Sequence, residues 1–438
     1  MFQQLLPAPC VEHACRQADT KFHNSVFNPL VVMWLLLWQR LHGAAPLQAA
    51  VLDLLQDLPT CFWPNPCKRV RDWQQSGKGI SGHSAAYNQA RQRLPFSVVA
   101  ESSDRIFDQL MAHLAGICAP VSRRAFLLDG TSMRMVYSPA LAHSFPRASN
   151  QHGESHWPVM RVLVAHDLQT GLAMRPQWGP MYGPDAVSEQ QLLESAIERL
   201  PPCAALIGDC NFGVFSVAWA GQQKAHPVVL RLTAARAQHL AGEPLQDGID
   251  RHLSWKPSRA DRKSHPDLPP EACVSGRLIV HQVQPDNGGE PFLLALFATL
   301  PDPLEEILKL YGQRWHIETD LRTLKSQLRM DQLSCATPEM AAKEIAMGIT
   351  AYNLVRAVIA LAAQQSGLPP RHYSFTSAAR IVQSFAPKIA NASSPEESKR
   401  HYDRMMYYLQ QAKLPRRKRK TYPRAVWGKQ AKYPNRKT

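Results

Sequence analysis

Apolar positions over residues 1–118 show no sustained alternation, and this stretch reads as mainly helical. Asn28 and Pro29 have the form of an N-cap followed by proline and predict a helix through Leu41. Another helix starts within Pro46 to Leu55. The segment SGHSAAYNQARQRLP (81–95) predicts a short polar helix stopped near Pro95. It fits the second helix of a helix-turn-helix, with Asn88, Gln89, Arg91 and Arg93 reaching DNA, and equally an ordinary polar surface helix.

The pattern changes at residue 123. RRAFLLDGTSMRMV predicts an apolar strand ending at Asp129, a Gly-containing turn and more strand. WPVMRVLVAHDLQTGLAM predicts strand, turn and strand, and DAVSEQQLLESAIERL (185–200) has helical periodicity. CAALIGDCNFG is a second apolar strand ending in an aspartate, Asp209, before a helix from about Val214; HPVVLRLT (226–233) is a further strand. This rhythm describes a mixed α/β layer. Residues 234–300 interrupt it with a polar, Pro-rich stretch followed by the strand-like GRLIVHQV and FLLALFATL. Long helices are then expected from near Pro303 and from Pro338 to Gln365.

Residues 311–328, YGQRWHIETDLRTLKSQL, read as one helix with an unusual polar row. Arg314, Glu318 and Lys325 follow Tyr311 by three, seven and fourteen positions. At about 100° per residue these four share a stripe roughly 60° wide, and Asp320 points to the opposite side. Ile317, Leu321, Leu324 and Leu328 form the adjoining apolar stripe. The polar row therefore borders a packed face, where a cleft can form.

Composition adds a partner class. The 438 residues carry a net charge of +15, and positions 413–438 hold eleven Lys or Arg and no acid. A basic tail of this kind suits a polyanion, nucleic acid first. The nine cysteines contain no CxxC pair, which fits reduced thiols and offers no zinc site of standard spacing. The apolar run Leu30 to Trp38 is too short to span a bilayer, and the expectation is a cytoplasmic protein.

Asp129 and Asp209 occupy equivalent places at strand ends, where sites assemble in α/β layers, and Glu318 follows the last core strand. Three converging carboxylates repel one another unless cations neutralise them, and oxygen-only ligation selects Mg²⁺, with Mn²⁺ as a substitute. Two such ions, about 3.5–4 Å apart, activate an attacking water or 3′-hydroxyl and stabilise the leaving oxygen of a phosphodiester. Arg314 and Lys325 are then placed to hold phosphates, and Tyr311 to hydrogen-bond a phosphate or stack on a base. His152 and His156 read as loop residues, since these metals prefer oxygen.

The spacing Tyr311-x2-Arg314-x3-Glu318-x6-Lys325 resembles the Y-(2)-R-(3)-E-(6)-K signature of bacterial insertion-sequence transposases of the "insertion sequence four" type. LLDGT at Asp129 and IGDCNFG at Asp209 resemble that family's two catalytic aspartate regions. The resemblance implies a ribonuclease-H-like core, with Asp129, Asp209 and Glu318 as both catalytic triad and metal ligands for two ions. With the pattern along the chain it gives five expected regions: a helical DNA-binding domain (1–118), the core's first part (119–233), a β-rich insertion (234–300), the core's second part with the Glu helix (301–365), and a helical C-terminal region with a basic tail (366–438). It further implies a homodimer pairing two element ends, and cut-and-paste transfer that passes through a DNA hairpin in some relatives. Candidate DNA contacts are Tyr311, Arg314, Lys325, Arg322, Arg91 and Arg93. Trp255 is a candidate receiver of a flipped base, with a core tryptophan as its alternative. Two other functions stay open at this point: a DNA-binding regulator without cleavage, and a related metal-dependent nuclease.

Overall fold

The computed structural model describes residues 2–57, 62–115, 123–151, 153–285 and 289–415. The basic tail beyond Pro415, His152 and the expected domain boundary at 118 lie outside the described residues.

Every regular element described before Ala125 is helical. Asn28 caps the helix Pro29–Leu41 by accepting from the Val31 amide at 3.0 Å, as the Asn-Pro pair predicts. The described residues then form ten strands: β1 (Ala125–Met135), β2 (Arg147–Asn150), β3 (Gly153–Asp167), β4 (Gln177–Pro180), β5 (Ala205–Gly208), β6 (Val228–Arg231), β7 (Ile249–Trp255), β8 (Val274–Val283), β9 (Phe292–Ala298) and β10 (Gln332–Leu333). The sheet order is β2-β3-β1-β5-β6-β9-β8-β7, with β10 on β1 and β4 on β3. β1, β5 and β6 run parallel, while β3 and β9 flank them antiparallel. This is a mixed sheet carrying helices. The centre is apolar on both faces, as central strands require: Phe126, Leu127, Leu128, Leu206, Ile207 and Val228 to Leu230 are all buried.

Three details differ from the reading of the sequence. β1 runs straight through Asp129 and Gly130, with no turn between them. The polar stretch after residue 234 contains a strand the reading did not give, β7, which with β8 and β9 prolongs the central sheet through the pairing of β9 with β6. His156 lies within β3 and not in a loop.

Pro338–Ser366 is the organising helix. It packs on Phe96–Ala115, Pro29–Leu41 and Phe375–Ala390. It is long and apolar enough to cross a membrane, yet 94% of its most apolar stretch is buried inside the protein, which marks it as a core helix. The polar groups it buries are paired. Glu344 meets Arg40, and Lys343 Nζ donates to the carbonyls of Arg91 and Gln92 at 3.1 and 3.2 Å. Those carbonyls end the helix Ala85–Arg93, where a cation offsets the negative pole. The N-terminal helices are thereby tied to the layer that backs the sheet.

Candidate active site

The parallel register of β1 and β5 pairs Leu127 with Ile207. Two residues further along each strand come Asp129 and, just past the end of β5, Asp209. The two aspartates are thus neighbours across adjacent strands. The Asp129 carboxylate accepts from the Gly130 amide at 2.8 Å, and Asp209 accepts from the Asn211 amide at 2.9 Å. Burial first, then Asp209 and Glu189 as repelling neighbours, push the Asp129 carboxyl up to about 7. A centre built this way invites a counter-cation.

Glu318 reaches the same place from the other side. A cavity of about 740 Å³ is lined by Asp129, Gly130, Thr131 and Glu318, with Arg322, Lys325 and Arg329 along its basic wall. Asp209 stands beside Asp129 but does not line this cavity. The polar row is carried by two helices where one was expected: Leu304–Gly312 bears Tyr311, and Trp315–Ser326 bears Glu318 and Lys325. Arg314 sits at the joint, and its guanidinium pairs with Glu318 at 3.2 Å. The Tyr311 hydroxyl is buried beside the Arg314 guanidinium.

Asp320 lies on the opposite side of its helix from Glu318 and is completely buried. Its carboxylate meets Arg356 at 2.5 Å and Arg371 at 2.8 Å. Burial alone raises such a carboxyl, but the two guanidinium groups overcome it and hold Asp320 down at about 2. One helix thus carries two carboxylates with different fates: Asp320 is locked into the core, and Glu318 lines a cavity.

The sequence matches known relatives. The family model described as "Transposase DDE domain" matches residues 120–354, more than half of the chain. The chain belongs to the DDE transposase family. It is 27% identical over 314 residues to transposase InsG for insertion sequence element IS4 of Escherichia coli (strain K12), covering 70% of this chain and 68% of that protein. This DDE transposase is therefore an enzyme that cleaves and transfers DNA strands, and the binding-only regulator is not favoured. Membership carries DNA as substrate and dependence on a divalent metal.

The residues present fit such a metal. The available donors are carboxylate oxygens, and the burial and negative neighbours that raise the Asp129 carboxyl are what a bound cation would offset. Among the described residues no three His, Cys, Asp or Glu side chains already close around one point. Repulsion between Asp129 and Asp209 and the Arg314–Glu318 pair account for that separation in physical terms.

The other DNA candidates fall into two groups. Arg322 and Lys325 line the cavity, and Arg93 is exposed on its helix. Arg91 is turned inward, bonded to Asn88 at 3.1 Å and 3.7 Å from Glu344. Trp255 is 4% exposed and packs edge-on against Phe215 and Phe297, which is the core alternative for this residue. The exposed tryptophan beside Arg314 is Trp315, at 50%.

Sequence reasoning missed Glu189, Asn211 and Arg329. Arg329 takes a left-handed backbone (φ 53°) just after the glutamate helix and lines the cavity. Glu189 follows Ser188 in a capping box with Gln191, so its sequence context announces only a helix start. A signal did exist in Gly130, since a glycine inside a strand marks close approach of another group.

Proposed function

We propose that Asp129, Asp209 and Glu318 are the catalytic carboxylates of this transposase and that they hold two Mg²⁺ ions, with Mn²⁺ as a substitute. The observation that carries the reading is the strand register that sets Asp129 beside Asp209, together with the cavity that Asp129 and Glu318 both line. The bound cations would supply charge neutralisation and Lewis acidity at the scissile phosphate. The chain's own groups do the rest. The basic wall of Arg322, Lys325 and Arg329 holds flanking phosphates, and Arg314 exchanges its bond to Glu318 for a phosphate oxygen. The Tyr311 hydroxyl donates to the substrate backbone, and the exposed Trp315 ring offers a stacking face that buried Trp255 does not.

In cleavage, water oxygen bonds to phosphorus, the bond from phosphorus to the 3′ oxygen breaks, and a proton passes to that oxygen. In joining, the freed 3′-hydroxyl bonds to a target phosphorus as one target P–O bond breaks, so the number of phosphodiester bonds is conserved. The substrate is the pair of ends of the chain's own insertion element. The assembly is a homodimer that pairs those ends in the bacterial cytoplasm, at the nucleoid. The division proposed above assigns DNA binding to 1–118 and treats 234–300 as an insertion into a ribonuclease-H-like core. A strand-transfer assay with pre-cut element ends and Mg²⁺ tests the reading. Joined products are expected, whereas a nuclease would yield none.

A further inference from the structure

Gly130 follows Asp129 in an extended strand and has no positive φ, so its backbone does not require glycine. Its surroundings favour glycine for as long as the Glu189 carboxylate stays where it is. A Cβ built at Gly130 would stand 1.9 Å from Cδ of Glu189 and 2.0 and 2.4 Å from its two carboxylate oxygens. The carboxylate therefore fills the space of the missing side chain, one residue from Asp129. The far side of the same carboxylate is also held. The Asn211 side-chain amide donates to Glu189 Oε2 at 2.5 Å, while the Asn211 backbone amide donates to Asp209 at 2.9 Å. Gln190 in turn donates to the carbonyl of Asn211 at 2.5 Å and to its side-chain oxygen at 3.1 Å. One asparagine thus bridges Glu189 to Asp209, and one glycine seats Glu189 against Asp129.

A glutamate at the first position of a helix ordinarily serves the positive pole of that helix and faces water. Glu189 starts the helix Glu189–Ala196, but its carboxylate lies along the β1 backbone. We propose that Glu189 is a fourth carboxylate of the active centre, facing the same cation as Asp129 and Asp209, and that Gly130 is glycine in order to admit it. The inference rests on the reading of Asp129 and Asp209 as metal-holding. Glu189 acts as a positioning residue: it adds negative charge beside Asp129 and, through Asn211, fixes the orientation of Asp209. Such supporting groups are commonly worth about 10–100-fold in metal affinity.

The test is a Mn²⁺ titration of the full-length protein without DNA, followed by the electron paramagnetic resonance signal of the free ion, with the metal-free melting temperature measured in parallel. Glu189→Gln keeps the shape of the side chain and an oxygen for Asn211, so the metal-free melting temperature should match wild type. Mn²⁺ affinity should fall about 10–100-fold. Gly130→Ala, which displaces the carboxylate while leaving all four acids in the chain, should show the same loss. Wild-type Mn²⁺ affinity in both variants overturns the proposal, as does a lower melting temperature with unchanged affinity. Asp129→Asn separates the two levels. If it loses Mn²⁺ while both other variants bind normally, only the role of Glu189 fails; if it too binds normally, the reading of the centre fails.

Discussion

Replacing Asp320 with alanine should destabilise the protein without touching the chemistry, and replacing Glu318 should do the reverse. Asp320 has no exposed surface, and its two oxygens meet Arg356 and Arg371. Arg371 has two other acceptors, the carbonyls of Leu168 at 2.6 Å and Asp167 at 3.0 Å. Arg356 keeps only weaker company: the Tyr352 hydroxyl at 2.9 Å and the rings of Tyr352 and Phe375. Removing the carboxylate leaves that guanidinium as a buried charge without a counter-ion, a change worth about 3–5 kcal/mol. The partial rescue of Arg371 puts the expected loss toward the lower half of that range. Urea unfolding followed by circular dichroism measures it as a lower midpoint at unchanged slope. Glu318→Ala removes a cavity-lining group whose only described ion-pair partner is Arg314, so its loss should stay within about 1 kcal/mol, the scale of a partly exposed pair. Equal midpoints for Asp320→Ala and wild type, or a larger loss for Glu318→Ala, would refute this assignment of the two carboxylates.

Further outcomes are expected on metal binding, stability and DNA binding. The neutral Asp129 carboxyl holds no cation, so Mn²⁺ affinity should be complete above pH about 7 and fall as pH drops below it; a titration flat from pH 5 to about 8 would contradict this. The same raised value means that the metal-free protein binds a proton the unfolded chain has lost, so this group's contribution to stability declines as pH rises from about 4 to 7. Asp320 has the opposite sign, its contribution being present above about 4 and lost toward 2. Lys325→Ala should weaken binding to all DNA sequences alike and reduce the salt slope by about 1, as a phosphate contact does; sequence-selective loss in a binding titration would point to a base contact. Trp255→Phe should leave cleavage at the wild-type rate, whereas Trp255→Ala should cost about 3–5 kcal/mol in urea unfolding as a core truncation.

Much of the fold was legible because local rules governed it. The Asn28 cap, the apolar runs of β1, β5 and β6, and the long helix from Pro338 all follow from spacing and capping. The opposite placement of Glu318 and Asp320 was legible too, since 3.6-residue periodicity separates their faces. What escaped depends on contacts between distant segments. Gly130 reads locally as a turn, and only the approach of Glu189 explains it as strand. Residues 311–328 carry no proline, and Gly312 is the one local signal of the break that splits the motif between two helices, a signal the regular polar spacing across it masked. Arg91 illustrates the same limit, since a polar helix face gives no hint of the buried Glu344 it meets. Strands β8 and β9 are apolar enough to read as strands, whereas the mostly polar β7 (IDRHLSW) is not, and the joining of all three to the central sheet through β6 is set by pairing that periodicity does not encode.

The most direct test of the central claim is Mg²⁺-dependent cleavage of DNA carrying the ends of the chain's own element, mapped on a denaturing gel. Wild type should be compared with Asp129→Asn, Asp209→Asn and Glu318→Gln, with end binding checked for each. The account predicts nicks at the element ends for wild type, and loss of at least about 10³-fold in each variant with binding retained, as befits several kcal/mol of transition-state stabilisation. Cleavage at the wild-type rate by any one of the three variants would contradict it.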